Sequence, residues 1–562
     1  MDSGGTCSTP SGERYNSFGL SPKVLALVVA PVIAFLPAFF IFGIPAIWSR
    51  LGMFLGGYLR RKTEGRRGQV LKSIEEDEKN YAEKHKKSTG DNKKGEEDDS
   101  WEKVQAYSAA STPDGNKLAD DWAGIVGMFH PFCNAGGGGE RVLWVAIRAV
   151  QSRYPKARII IYTGDHEANK EQILERVQSR FNINLHSPTI QFMYLNNRSW
   201  VLASSWPHLT LLGQTIGSVV LGWEALSAIV PDIMIDTMGY AFTLGLCRWL
   251  FPQSPTGAYV HYPMISKDMI ENLGADGQGV NAGKGAGWRG LAKLYYWKAL
   301  AWFYQKMGAT IDIVMTNSTW TQAHMSSLWG QGRRDAGKTA PIVAVFPPCA
   351  VEELEQKIDV SAASEAQRSK TILYIAQYRP EKNHELIIQA FAKFIKSGSE
   401  ASKGAKLVLV GSVRDGDDKK RVYKLRLLPV ELQIKDSVEF HMDAPFSDIL
   451  QLLQTSSVGV NGMWNEHFGI GVVEYQASGL ISVVHDSGGP KLDIVTKIDG
   501  QPTGFHASTA QEFADGFEQA LSVPDPVAMR VRARRSAQRF GEVEFERKWL
   551  VEMEKLVALA KQ

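Results

Sequence analysis

Cysteine is scarce in this chain: Cys7, Cys133, Cys247 and Cys349 stand far apart among 562 residues, with no Cys-x-x-Cys spacing. That excludes a cysteine-built zinc module and a disulfide framework, and it fits a reducing compartment. Neither sign of charge dominates. Lys and Arg number 63 against 60 Asp and Glu, a net charge of +3, which gives no electrostatic footprint for nucleic acid. The one glycine run that follows a strand pattern, Asn134-Ala135-Gly136-Gly137-Gly138-Gly139-Glu140-Arg141, is not continued by Gly-Lys-Ser/Thr and does not keep the GxGxxG spacing. A Walker-type nucleotide site and a nicotinamide cofactor are therefore not indicated. What remains is ordinary for a globular protein, 44% hydrophobic and 22% charged, and the length favours more than one domain.

Charge is missing altogether from Val24 to Ser49. As a helix that run would rise roughly 39 Å, enough to span a bilayer with some tilt. Pro31, Pro37 and Pro45 are tolerable in a membrane helix. The run is long for a signal-peptide core, and no small-residue cleavage site follows it, so residues 24–49 read as an uncleaved anchor after a tail of residues 1–23. Arg50, Arg60, Arg61, Lys62, Arg66 and Arg67 follow the run, whereas only Arg14 and Lys23 precede it, which places the C-terminal mass in the cytosol. Leu51 to Leu59 is a second apolar stretch suited to the interface. Residues 50–118 read as a charged, flexible or partly helical stalk, because stretches such as Thr89 to Asp99 are too polar to bury a core.

Beyond the stalk, short apolar runs alternate with helical patterns, which predicts parallel sheets with helices between the strands. Gly124–His130, Arg158–Tyr162, Pro231–Asp236, Gly257–Tyr262 and Ile311–Thr316 read as strands of a first half, residues 119–346. Thr371–Ile375, Leu407–Val410, Val438–Phe440, Val458–Val460 and Ile481–Val484 read as strands of a second, residues 347–540. Pro347-Pro348 is a plausible hinge, and residues 541–562 read as a helix able to pack back on the first half. The expected site is the cleft between the halves, beyond the carboxyl ends of the strands.

Four elements carry chemistry. Glu466-His467-Phe468-Gly469-Ile470-Gly471-Val472-Val473-Glu474 puts two acids eight apart around a glycine-flanked turn that opens a helix. One acid can reach a sugar and the other a ribose, and the helix N-terminus favours a phosphate. Arg379 and Lys382, three apart at a strand end, can hold a pyrophosphate as a fork and a point charge. Gly137, Gly138 and Gly139 leave backbone N–H groups free to face an anion. His261, at the end of its strand, is a candidate contact to a sugar hydroxyl. Two solvated acids and a solvated basic turn are the plain alternatives. Leu291–Tyr304 and Ser204–Leu226 are apolar and aromatic helical patterns, suited equally to a membrane face or to a core.

Together these elements resemble the retaining glycosyltransferase family 4, of GT-B fold, over roughly Gly124 to the C-terminus. Gly136 to Trp144, Ile235 to Tyr240, His261-Tyr262-Pro263, Arg379 to Asn383 and the Glu466/Glu474 pair carry the likeness. It is closest to that family's endoplasmic-reticulum α-1,2-mannosyltransferases of asparagine-linked glycosylation. The resemblance implies two Rossmann-like domains behind an N-terminal membrane helix. It implies mannose transfer from GDP-mannose, twice in succession, to a dolichyl-pyrophosphate-linked trimannosyl oligosaccharide, with no metal and no cofactor. The implied setting is the cytosolic face of the endoplasmic-reticulum membrane, with the lipid bilayer and other mannosyltransferases of the pathway as partners. Glu474 matches the ribose-binding acid, Glu466 the acid near the donor sugar, and Arg379 and Lys382 the diphosphate contacts. His261 matches the histidine beside the transferred hexose. Gly137 to Gly139 fall where the family's first-half loop meets the donor phosphate or the acceptor, and Phe468, Gly469 and Ile470 fall at its nucleotide-sugar site. The family's arginine usually stands five residues before its lysine, where this chain has Gln377, so Arg379 is displaced by two. A family-4 transferase using another sugar nucleotide, or a nucleotide-sugar-binding scaffold without activity, are the competing readings.

Overall fold

The computed structural model describes residues 45–88, 120–271 and 287–562. Runs of consecutive buried, mostly apolar residues, as in Ile125–Phe129 and Ile481–Val484, suit strands covered on both faces, and such strands pair in parallel. Seven form the first sheet: β1 Ile125–Phe129, β2 Arg158–Thr163, β3 Ile190–Tyr194, β4 Ile233–Asp236, β5 Thr256–Val260, β6 Ile313–Thr316 and β7 Ile342–Ala344. Their order is β3-β2-β1-β4-β5-β6-β7. The second sheet has six: β8 Ser369–Ile375, β9 Lys406–Gly411, β10 Val438–Met442, β11 Ser456–Asn461, β12 Ile481–His485 and β13 Gly504–Ala507, ordered β10-β9-β8-β11-β12-β13. Strand order reverses between β1 and β4 in one sheet and between β8 and β11 in the other. The loops after β1, β8 and β11 therefore open at the two crevices where such sheets bind ligands.

The last helix, Glu542–Ala560, crosses back and buries Phe545, Trp549, Met553, Leu556 and Val557 in the core of the first sheet. Its N-terminal acids meet the helix Gly138–Arg153. Arg148 donates to Glu546 and to Glu542, each at 2.7 Å, and Arg141 donates to the other oxygen of Glu542 at 2.6 Å. The crossover near the two prolines is pinned as well: Cys349 N–H donates to the Phe540 carbonyl at 2.9 Å.

Over residues 50–118 the sequence predicts a charged stalk, flexible or partly helical. Its described part is helical, one continuous helix Pro45–Ser88, but this helix is fastened to the first domain rather than standing clear of it. The stripe Gly52, Gly56, Leu59 and Thr63 is buried, and spacings of four, three and four put these residues on one helix face. A Cβ at Gly56 would lie 1.9 Å from the Leu250 carbonyl oxygen, so only glycine lets the two helices approach this closely. Further along, Arg67 bonds Asp232 at 2.8 Å and the Val230 carbonyl at 3.0 Å. Most of the expected anchor, residues 24–44, the tail 1–23 and the stalk residues 89–118 lie outside the described residues. Among the described residues no helix is long and apolar enough to cross a membrane.

Arg148 is nearly buried and partners two acids. Arg148→Met is expected to strand Glu542 and Glu546 and to destabilise the protein by about 3–5 kcal/mol. A thermal melt should show a clear fall in midpoint, with a smaller one for Arg141→Met.

Candidate functional site

The helix Ile470–Ala477 starts at Gly469, whose φ of 106° is open only to glycine. The loop before it, from Gly462 to Phe468, is held by Asp486–Pro490. Gly489 N–H donates to the Glu466 carbonyl at 2.8 Å, and Asn465 N–H donates to Ser487 Oγ at 2.8 Å. A Cβ at Gly488, where φ is 66°, would lie 2.3 Å from that same carbonyl oxygen. The glycines of Asp-Ser-Gly-Gly-Pro thus set the position of Glu466. Phe468 differs from expectation: its ring is buried and packs on Phe346 and Phe540, because an apolar ring in a loop gains more from the core than from a polar cleft. Only its backbone is available to a ligand.

Lys382, on the short turn Pro380–Lys382 after β8, donates to Glu466 Oε2 at 2.5 Å, and Asn461 Nδ2 donates to the same oxygen at 3.4 Å. Burial works to raise the Glu466 carboxyl, but the Lys382 ammonium and its hydrogen bond hold it below the usual carboxylate range. His467 stacks on Tyr262 of the other half at 4.0 Å between ring centres and lies 5.3 Å from Trp320, and burial pushes it down to about 4.

Across the cleft, the helix Gly138–Arg153 begins in the glycine run. Glu140 folds back to accept from Gly136 N–H at 2.6 Å and Gly137 N–H at 3.2 Å. The Gly137 N–H is therefore engaged by the chain's own carboxylate, while Gly138 and Gly139 occupy the first turn, where N–H groups lack helical partners. A Cβ at Gly138 would lie 2.4 Å from Ile470 Cδ1, and one at Gly139 would lie 3.5 Å from His261 Nε2. The structure thus brings together Gly138, Gly139, His261 and Ile470 from both halves. His261 Nε2 is buried with no hydrogen-bond partner among the described residues, and burial pushes the ring down to about 4 against a backbone bond at Thr237, which favours the neutral imidazole. Asp493 latches the halves, accepting from Thr319 N–H at 3.0 Å and from its hydroxyl at 2.7 Å.

Glu474 lies one turn into its helix. Burial pushes its carboxyl up to about 7; Arg141 opposes this and Glu353 adds to it. Arg379 is not brought to the acid pair by any contact among the described residues. Its guanidinium lies 3.7 Å from Glu381 and lines a separate groove of about 540 Å³ with Asp417, Lys420 and Arg421. Asp415 caps the helix Gly416–Glu431, and Asp418 pairs with Arg414 at 2.9 Å.

Residues 123–329 match the family described as ALG11 mannosyltransferase N-terminus, and residues 355–540 match Glycosyl transferases group 1. A Neurospora crassa protein named GDP-Man:Man(3)GlcNAc(2)-PP-Dol alpha-1,2-mannosyltransferase is 60% identical over 527 residues, 92% of this chain and 94% of that one. The chain belongs to that mannosyltransferase family. A human member with the same name is 44% identical over 439 residues, 77% of this chain and 87% of its own. Among solved structures, a glycosyltransferase from Rickettsia africae superposes with a TM-score of 0.52 at 14% identity, covering 77% of this chain and 98% of that one. A trehalose 6-phosphate synthase from Burkholderia multivorans reaches 0.56 at 11% identity, with 78% and 100% covered. These two share the GT-B fold of two facing parallel-sheet domains.

For a member of this mannosyltransferase family, several site residues were not foreseen from sequence: Glu140 inside the glycine loop, Asn461 on Glu466, and the Tyr262–His467–Trp320 stack. Glu140 had a signal, an acid three residues after a helix start, as in a capping box. The stack had none, because its rings come from distant parts of the chain. Gly488→Ala is expected to push the Glu466 carbonyl aside at a cost of about 1–3 kcal/mol. Titration calorimetry should then show GDP-mannose binding weakened about tenfold or more; unchanged affinity would remove this loop from the site.

Proposed function

We propose that this chain is a retaining α-1,2-mannosyltransferase. It moves mannose from GDP-mannose to dolichyl-pyrophosphate-linked Man3GlcNAc2 and then to the Man4GlcNAc2 product, giving Man5GlcNAc2. The observation that carries the chemistry is the Lys382–Glu466 pair, next to a His467 that stacks across the cleft on Tyr262, the neighbour of His261. The choice of donor and acceptor follows the names of relatives up to 60% identical.

In this reading Glu474 accepts from the ribose hydroxyls, and the diphosphate sits between Lys382 and the N-terminus of the helix Ile470–Ala477. As the glycosidic bond breaks, charge develops on the leaving phosphate, and a fixed ammonium and backbone N–H groups stabilise it without reorganising. The acceptor hydroxyl approaches on the same face and passes its proton to the leaving β-phosphate. Glu466, held by Lys382 and Asn461, orients the hexose rather than attacking it. Neutral His261 offers Nε2 as an acceptor to a sugar hydroxyl. Arg379 acts as a more distant contact to the diphosphate. In this reading the transfer needs no metal: in Asp415-Gly416-Asp417, Asp415 caps a helix and Asp417 is exposed to solvent beside Lys420. The uncharged run Val24–Ser49 anchors the enzyme in the endoplasmic-reticulum membrane with its domains in the cytosol, in keeping with the basic residues that follow it.

Purified protein incubated with radiolabelled GDP-mannose and a phytanyl-pyrophosphate trimannosyl acceptor is expected to give products one and two mannoses longer, at a rate unaffected by EDTA. Transfer from UDP-sugars instead would sink the reading, as would no product at all.

Lys382→Ala should lower kcat by roughly 10²–10³-fold, the usual cost of one lost transition-state partner. Hydroxyl groups donate best to an ionised carboxylate, and the ionised share of Glu474 grows as pH rises through about 7. The KM for GDP-mannose is therefore expected to fall between pH 6 and pH 8. Glu474→Gln should raise KM and flatten that profile.

A further inference from the structure

Two helices of the first domain each give one face to the core and the other to solvent. On Pro45–Ser88, opposite the buried Gly52–Gly56–Leu59 stripe, Ile47, Leu51, Phe54 and Tyr58 recur at spacings of four, three and four, and all are exposed, Phe54 by 69%. Helix Gly287–Gly308 buries Trp297, Leu300 and Tyr304, while Trp288, Leu291, Tyr295 and Trp302 line its outer stripe, Trp288 exposed by 76%. Both helices pack on one short helix, Ala241–Leu250. Trp48 stacks on Trp249 at 4.9 Å, and a Cβ at Gly245 would lie 2.7 Å from Met307 Sδ. The two outward stripes therefore flank the same element.

We infer that these two stripes form one seat on a lipid bilayer that carries anionic headgroups. Neither Pro45–Thr63 nor Gly287–Gly308 contains an acidic residue, whereas Arg50, Arg61 and Lys62 border the first stripe and Lys298 and Lys306 the second. Aromatic rings beside cations are the composition of a membrane interface. A second copy of the chain would set cations against cations, whereas anionic headgroups complement both stripes. The uncharged run Val24–Ser49 also leads directly into the first stripe at Ile47. The sequence left Leu291–Tyr304 open between lipid and core; the structure buries one face in the core and leaves the other exposed. The seat deepens the proposed function, since a lipid-linked acceptor is presented at such a surface.

The test uses the full chain with Cys7→Ser, reconstituted in phosphatidylcholine vesicles containing phosphatidylserine; Cys133, Cys247 and Cys349 are buried. A bimane label is placed through Tyr295→Cys, Phe54→Cys or, as a control on the exposed face of helix Gly416–Glu431, Tyr423→Cys. Nitroxide-bearing lipid is expected to quench the first two sites several-fold more than the third. Equal quenching at Tyr295 and Tyr423 overturns the seat, as does copper-phenanthroline-oxidised disulfide formation between unlabelled Tyr295→Cys copies without lipid quenching at that site. The double variant Trp288→Ser, Leu291→Ser should raise KM several-fold for acceptor in vesicles and leave turnover of detergent-dispersed acceptor unchanged. An unchanged KM in vesicles counts against the seat. Loss of detergent activity in the parent chain would count against the proposed function instead.

Discussion

The site depends on a buried contact far from any substrate, the clasp of Arg141 and Arg148 on Glu542 and Glu546. Several contacts set how the two sheets face each other, the Asp493–Thr319 bonds and the Tyr262–His467 stack among them. The clasp does so by tying the glycine-loop helix of the first domain to the helix that returns from the second. Charges this enclosed are tolerable only when fully paired, so the geometry that satisfies them is narrow. Glu542 shows the balance: burial works to raise its carboxyl, and the two guanidinium groups hold it below the usual range. Because Gly138 opens the same helix that carries Arg141, fixing the clasp also fixes where the glycine loop meets Ile470.

Within the second domain the constraint is steric rather than electrostatic. The loop that carries Glu466 is threaded against Gly488 and Gly489 so closely that no side chain fits between them. Phe468 then fills the core beneath, and Lys382 meets Glu466 from the other side. The acid is thus placed by backbone contacts before its charge is considered. Such over-determination is what a reacting centre needs, since small displacements there are costly.

Much of this was legible in the sequence. The central strands were legible because each is a short, β-branched-rich apolar run, too short for a helix. Strands β3 and β13 were not, since edge strands carry mixed residues such as Gln191 and His506, and β7 is only three residues long. The fastened helix was missed for a related reason. Gly52 and Gly56 weaken a helix locally, but they are what lets it pack against Leu250, and that partner is remote in sequence. At the site, Glu466 and Lys382 were placed by motif. The inward turn of Phe468 and the ring stack of Tyr262 on His467 were not, because side-chain direction in a loop is set by tertiary packing.

Glu140 gives the glycine loop a permanent internal tenant. With its carboxylate seated on two of the loop's N–H groups, the loop has its shape whether or not a nucleotide sugar is present. Ordering one flexible residue costs about 1–2 kcal/mol, so a run of glycines shaped only on ligand arrival would weaken donor affinity considerably. Here that ordering is completed when the chain folds. Whatever docks there meets a template already cast.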